Sequence, residues 1–300
     1  MKKYFLWNEP NFSNVILTDS SSYIEDFFSD IFYPFKVIYL SRARHFIPLL
    51  LDVNNLGRNN IVFTQPYSSH CVLSNISLQS TPSIINGDFV NASIIYHQYG
   101  YKTVVNEKNK YNNILFEDAV DTIFLDTTEK ELFPNNGLIS IISLPKIMKI
   151  PFGSIGVFKD EEIYKKVKLR IESNVNDSFL TNSFYEKALK NPSHREVLLS
   201  QYKILSPRVD NIESLYISSI NRVKENVNLI KDYFSIEEDF SKRLPSNIIM
   251  DNPCQEQRIS KLIDEPFRNI YNYNTGEIIK KQLIPVHCGV DWKLHLNKRR

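Results

Sequence analysis

The first 160 residues are punctuated by short apolar runs, at 37–40, 61–63, 83–85, 94–96, 114–116 and 138–142, each followed by a polar or amphipathic stretch. Runs this short suit strands buried on both faces, whereas a helix spreads its apolar positions over a longer window. Residues 45–56 and 71–78 carry helical spacing and are short enough to be crossovers between parallel strands. The alternation predicts an α/β architecture with a mostly parallel central sheet.

A further apolar run at 153–158 is followed by Asp160, Glu161 and Glu162, acidic residues that suit the first turn of a helix carrying Ile163, Val167 and Ile171 at helical spacing. Ile220, Val223, Val227, Ile230 and Phe234 form a second, longer stripe. After Leu244 the pattern changes to strand and hairpin signals, with Asn274, Thr275 and Gly276 as the turn. We therefore expect a large α/β domain over 1–175, connecting helices over 176–240 and a small α+β domain over 241–300.

A chain of 300 residues that is 42% hydrophobic and 23% charged has enough apolar material for one large core and a smaller second one. The net charge of +2 is dispersed, and the one dense basic run, Lys298 to Arg300, reads as a solubilising tail, so no nucleic-acid partner is expected. Cys71, Cys254 and Cys288 are odd in number and lack metal-type spacing, which argues for a reducing, cytoplasmic setting and against a metal site. The apolar start from Tyr4 to Trp7 stops at Asn8, Glu9 and Pro10, too early for a signal peptide, and no stretch is long enough to cross a membrane.

Two places carry chemistry. Lys146, in Ser143-Leu-Pro-Lys146, directly follows an apolar run; at a strand end facing a partly dry pocket its amine could attack a carbonyl, while the plainer reading makes Lys146 and Lys149 exposed loop cations. Glu117-Asp118-Ala-Val-Asp121 sits at the carboxyl end of the run 114–116, where open α/β sheets place ligands. An aspartate there could hold a heterocyclic nitrogen protonated, or could cap the next helix.

Four segments in order, Thr64-Gln-Pro-Tyr67-Ser-Ser, Tyr96-His97-Gln-Tyr-Gly100, Phe116-Glu117-Asp118-Ala119 and Ser143-Leu-Pro-Lys146 with Gly153 and Asp160-Glu-Glu downstream, resemble the DegT/DnrJ/EryC1/StrS family of sugar aminotransferases. These depend on pyridoxal 5'-phosphate (PLP) and have the fold type I, aspartate-aminotransferase-like architecture. The resemblance implies that Lys146 carries the cofactor covalently and later moves the substrate's proton, and that Asp118 faces the pyridine nitrogen. It gives Tyr67 the place of the ring stacked on the cofactor. Ser143 takes that of the serine on its phosphate, helped by amides near Ser41 and by the charge of Arg42, with Arg42 and Arg44 merely flanking a surface helix as the alternative. His97 and His287 fall in segments that line or approach the substrate pocket, with a purely structural role the alternative for each.

The chain departs from the family pattern at three places. Asp121 stands where many relatives have a glutamine beside the cofactor, and its charge would repel both the phosphate and Asp118 unless it turns away. Ser41-Arg42 replaces a glycine-containing phosphate loop. The stretch from Asp88 to His97 lacks a helix usual in relatives. The resemblance implies a homodimer that moves an amino group from an amino acid, glutamate above others, to a nucleotide-linked keto sugar in amino-sugar or surface-polysaccharide biosynthesis. The departures motivate an alternative, a non-catalytic homologue acting as a binding or assembly subunit.

Overall fold

The structure is a computed structural model that describes residues 3–8, 17–18, 22–103, 114–124, 137–175, 206–240, 243–250 and 257–296. Cys254, the basic run 298–300 and residues 176–205 of the expected connecting segment lie outside the described residues.

Seven strands form the central sheet: β1 (Lys36–Leu40), β2 (Ile61–Thr64), β3 (Thr81–Ser83), β4 (Ala92–Tyr96), β5 (Ile114–Asp118), β6 (Ile139–Ser143) and β7 (Ser154–Phe158). Their spatial order is β1-β7-β6-β5-β4-β2-β3. β7 runs antiparallel to both its neighbours, and the pairs from β6 through β3 are parallel. The expected runs thus become sheet strands, with one shift: β3 forms from Thr81 to Ser83, not 83–85. There Thr81 N–H bonds the Asn60 carbonyl, while Ile84 and Ile85 stay on the surface.

Both faces of the sheet are covered, as parallel strands require. Period-two alternation sends Ile38, Leu40, Ile139 and Ile141 to one layer, against Phe46, Ile47 and Leu50 of α2 (Phe46–Val53) and Val167 and Ile171 of α5 (Glu161–Val175). Val37, Tyr39, Ile142, Ile155 and Val157 face the other way. They meet Ile24 and Phe28 of α1 (Ser22–Ile31), the stripe Ile220, Val223, Val227 and Ile230 of the long helix Ile212–Phe234, and Ile248, Leu283 and Ile284 of the C-terminal strands.

The long helix begins on Asn211, whose side chain accepts the Ser214 N–H, a standard N-cap. At the edge of the sheet, Tyr39 N–H points outward and is taken by the Glu25 carboxylate at 2.8 Å, which closes an edge otherwise open to pairing. The C-terminal strands Asn247–Met250, Ile278–Pro285 and Phe267–Tyr271 form a small antiparallel sheet with Ile278–Pro285 in the middle. Its hairpin turns where expected, with Gly276 at φ +74°. Among the described residues no helix is long and apolar enough to cross a membrane, and no group of three or more metal-ligating side chains occurs.

Candidate active site

The parallel strands β2, β4, β5 and β6 end together, and β1 ends beside them. Tyr96 pairs with Asp118, Asp118 with Ile141, Ser143 with Ser154, and Ser154 with Leu40. One rim of the sheet therefore carries Tyr96, Asp118, Ser143 and Ser41 with Arg42, the edge where open α/β sheets hold their ligands.

Lys146 reaches this rim on α4 (Leu144–Ile147), a single turn directly after β6. Pro145 suits the first turn of a helix, and the turn is pinned by buried Leu144, Ile147 and Met148. That leaves the Lys146 side chain 27% exposed, its amine 2.8 Å from Asp121 Oδ1. The carboxylate of Asp121 is wholly buried and also accepts hydrogen bonds from Trp7 Nε1 at 2.9 Å and from the Tyr96 hydroxyl. The Trp7 ring lies 5.2 Å from the Lys146 amine, a cation–π distance, and stacks on Tyr99.

Asp121 is thus satisfied by three donors, one of them cationic. Its charge is still felt. Asp118, 8% exposed, has its pKa raised to about 6, first by burial and further by Asp121; the Lys146 ammonium and a 3.3 Å hydrogen bond from Val120 N–H act in the opposite sense. The two residues that the sequence analysis put at the centre of the chemistry are electrostatic neighbours at one end of the sheet, although separate strands deliver them.

The remaining residues distribute around this pair. Ser143 is half-buried, and Ser41 is buried with its carbonyl on Gly153 N–H. Arg42 is extended and precedes the turn Ala43–His45 that leads into α2. Tyr67, between β2 and α3 (His70–Gln79), is 70% exposed with φ +63°, an unusual backbone state for a tyrosine. His97 is buried: its Nδ1 accepts from Thr103 N–H and its Nε2 faces Glu117 at 3.9 Å, beneath the rim. His287 Nε2 donates to the Phe5 carbonyl and Nδ1 accepts from Gly289 N–H, so both ring nitrogens are engaged by the chain. Burial lowers its pKa to about 4, with Phe5 and Asp121 pulling the other way.

Sequence reading did not anticipate Trp7, Tyr96 or Tyr273. Tyr273, just past the strand Phe267–Tyr271, accepts from Tyr96 N–H at 3.1 Å and donates to Gln65, linking the small sheet to the rim. Tyr96 was legible as the last residue of a strand pointing at the ligand edge; Trp7 had no local signal at all.

A family model described as "Putative PLP-dependent aminotransferase" matches residues 24–297. The chain belongs to that family. No curated protein sequence matches it. Among solved structures, the PLP form of "Putative sugar aminotransferase Spr1654" from Streptococcus pneumoniae is similar over 96% of this chain and 95% of its own, at 13% identity and TM-score 0.58. The aminotransferase TlmJ from Streptoalloteichus hindustanus gives 95% and 88%, 12% and 0.57. A DegT DnrJ EryC1 StrS aminotransferase from Brucella abortus gives 93% and 88%, 10% and 0.53. The chain spans only 38% of the length of NtdA from Bacillus subtilis and 60% of that of the aminotransferase from Psychrobacter cryohalolentis. At such identities the likeness establishes the fold, and the aminotransferase family member described here has the fold type I architecture.

Proposed function

We propose that this family member is a cytoplasmic PLP-dependent aminotransferase that takes an amino group from an amino acid, glutamate foremost, and delivers it to a nucleotide-linked keto sugar for amino-sugar or surface-polysaccharide synthesis. Family membership supports the reaction class, and the resemblance to sugar aminotransferases supports donor, acceptor and a homodimeric assembly. The observation that carries the reading is the convergence of Lys146 and Asp118 on one rim.

The residues fit the cofactor. Asp118 is a buried carboxylate with one long backbone hydrogen bond and a raised pKa, so it gains from a cationic heteroaromatic nitrogen placed against it. Lys146 keeps a partly exposed side chain within that same field. Ser143, Ser41, Arg42 and the amides of the turn entering α2 offer an anion site on the same edge.

In this reading Lys146 would hold the cofactor through its amine and would serve as the base that moves a proton at the substrate carbon. Asp118 keeps the ring nitrogen protonated, Ser143, Ser41 and Arg42 bind the phosphate, and the exposed Tyr67 ring is available to cover one ring face. Bound PLP supplies the electron sink that makes an amino acid's α-proton acidic. His97 and His287 are enclosed by the chain and bonded to it, which suits a structural role for both.

The test is the visible spectrum of purified protein with added PLP, before and after Lys146→Ala. A band that bleaches on adding glutamate and is lost in the variant supports the reading; a band unchanged in the variant refutes Lys146 as the attachment point. One observation favours a second reading, a cofactor-free binding or assembly subunit: the Lys146 amine already sits in an ion pair with Asp121. Wild-type protein that folds and self-associates but takes up no PLP would establish it.

A further inference from the structure

We infer that Asp121 is a positioning residue, a single buried carboxylate that fixes the Lys146 amine and the N-terminal Trp7 segment to one another. This deepens the reading above and rests on it only for the use to which the amine is put.

Residues 3–8 are tied down along their length. Tyr4 N–H bonds the Leu262 carbonyl at 2.7 Å, and the Tyr4 carbonyl accepts from Asp264 N–H at 2.8 Å. The Tyr4 hydroxyl lies 2.9 Å from His295 Nε2, and the Phe5 carbonyl takes the His287 Nε2 proton at 3.0 Å. Asn8 Nδ2 then donates to the Pro145 carbonyl, one residue before Lys146, at 3.1 Å. Between these fixed points Trp7 presents its indole N–H to Asp121 and its ring to the Lys146 amine.

A wholly buried carboxylate needs its lone pairs satisfied, and charge-assisted bonds are the strongest available. Asp121 obtains one from Lys146 and neutral ones from Trp7 and Tyr96. Two consequences follow for the amine. It is held at one place on the rim, and its N–H donors are committed to the carboxylate until the two groups part. Trp7, sharing the acceptor, registers that departure. A merely structural Asp121 would need only Trp7 and Tyr96, and the indole would sense Lys146 through the direct amine–ring contact alone.

The experiment compares Lys146 with the exposed Lys149, three residues away, by trace acetylation with acetic anhydride and peptide mass analysis, on folded protein without cofactor. Lys146 is expected to label about ten-fold more slowly than Lys149, and Asp121→Asn to abolish most of that lag, since the ion pair is the main restraint. Equal labelling in the parent, or an unchanged lag in folded Asp121→Asn, overturns the inference. Should Asp121→Asn not fold, Trp7 emission decides, with Trp7→Phe assigning the signal: a Lys146→Met shift that changes when Asp121→Glu is added supports the coupling, and the same shift in both backgrounds, as the direct amine–ring contact alone would give, overturns it. PLP uptake is scored separately on the parent protein. A lag and a Trp7 response without PLP uptake refute the aminotransferase reading and leave the positioning role standing; PLP uptake without either does the reverse.

Discussion

Replacing Asp118 by asparagine should make the cofactor-free protein more stable while removing the group that pairs with the ring nitrogen. The size follows from the site. Burial, with Asp121 adding to it, lifts the Asp118 pKa from 3.8 to about 6 despite the opposing Lys146 charge. A carboxyl group whose folded pKa is raised is costless below its unfolded value; stability then drains away as pH climbs from about 4 to about 6, because the unfolded chain ionises first. Two units correspond to roughly 3 kcal/mol above pH 7. With Asp118 only 8% exposed, little of that is lost to solvent screening. Asparagine has no ionisation to resist, so Asp118→Asn should melt about 5 °C higher than the parent at pH 7.5 without cofactor. The gap should narrow toward pH 4. Calorimetry across that range, on protein stripped of PLP, measures it. Added PLP should raise the melting point of the parent and not of the variant. A variant no more stable than its parent at pH 7.5, or a gap independent of pH, would refute the claim that Asp118 is a carboxylate kept under electrostatic load.

Three further outcomes are expected. His287 is held neutral with its pKa lowered to about 4, so its contribution is complete above about pH 6.5 and is lost as pH falls toward 4; His287→Gln should flatten the acid limb of a urea midpoint against pH plot, and an unaltered limb would count against it. Gly100→Ala places a Cβ 2.5 Å from Pro245 Cα and 2.6 Å from the Asp121 carbonyl at φ +92°, and should cost about 3 kcal/mol or more by denaturant titration. Asn226→Ala removes donors to the Val286, His287 and Val290 carbonyls and the acceptor for Trp292 N–H, a loss of about 3 kcal/mol that isothermal denaturation would detect; a change under about 1 kcal/mol would mean those groups find water instead.

The sheet was legible because its strands are apolar wherever they are buried on both faces, and period-two burial followed from that. The misplaced edge strand shows the limit of the same signal: Ile84 and Ile85 are apolar and yet exposed, so apolarity there marked no strand. Helix α1 escaped notice although Ile24 and Phe28 stand four apart, because polar residues interrupt the stripe. Lys146 and Asp118 were readable as residues at strand ends, and their neighbourhood was implied by family likeness before any coordinates. What the sequence could not carry is the partner of Asp121. Trp7 lies 114 residues away along the chain, and Lys146 and Tyr96 are each 25 away, so only tertiary folding says that the three share an acceptor.

The ties that hold residues 3–8 also bear on the order of assembly. Tyr4 and Phe5 bind partners at 262, 264, 287 and 295, so an early segment completes its anchorage only once residues more than 250 positions later have been made. Contacts so distant in sequence form late and slowly. Until residues 257–296 have been made, the indole can rest over the amine only through Asp121 and the tie of Asn8 to Pro145.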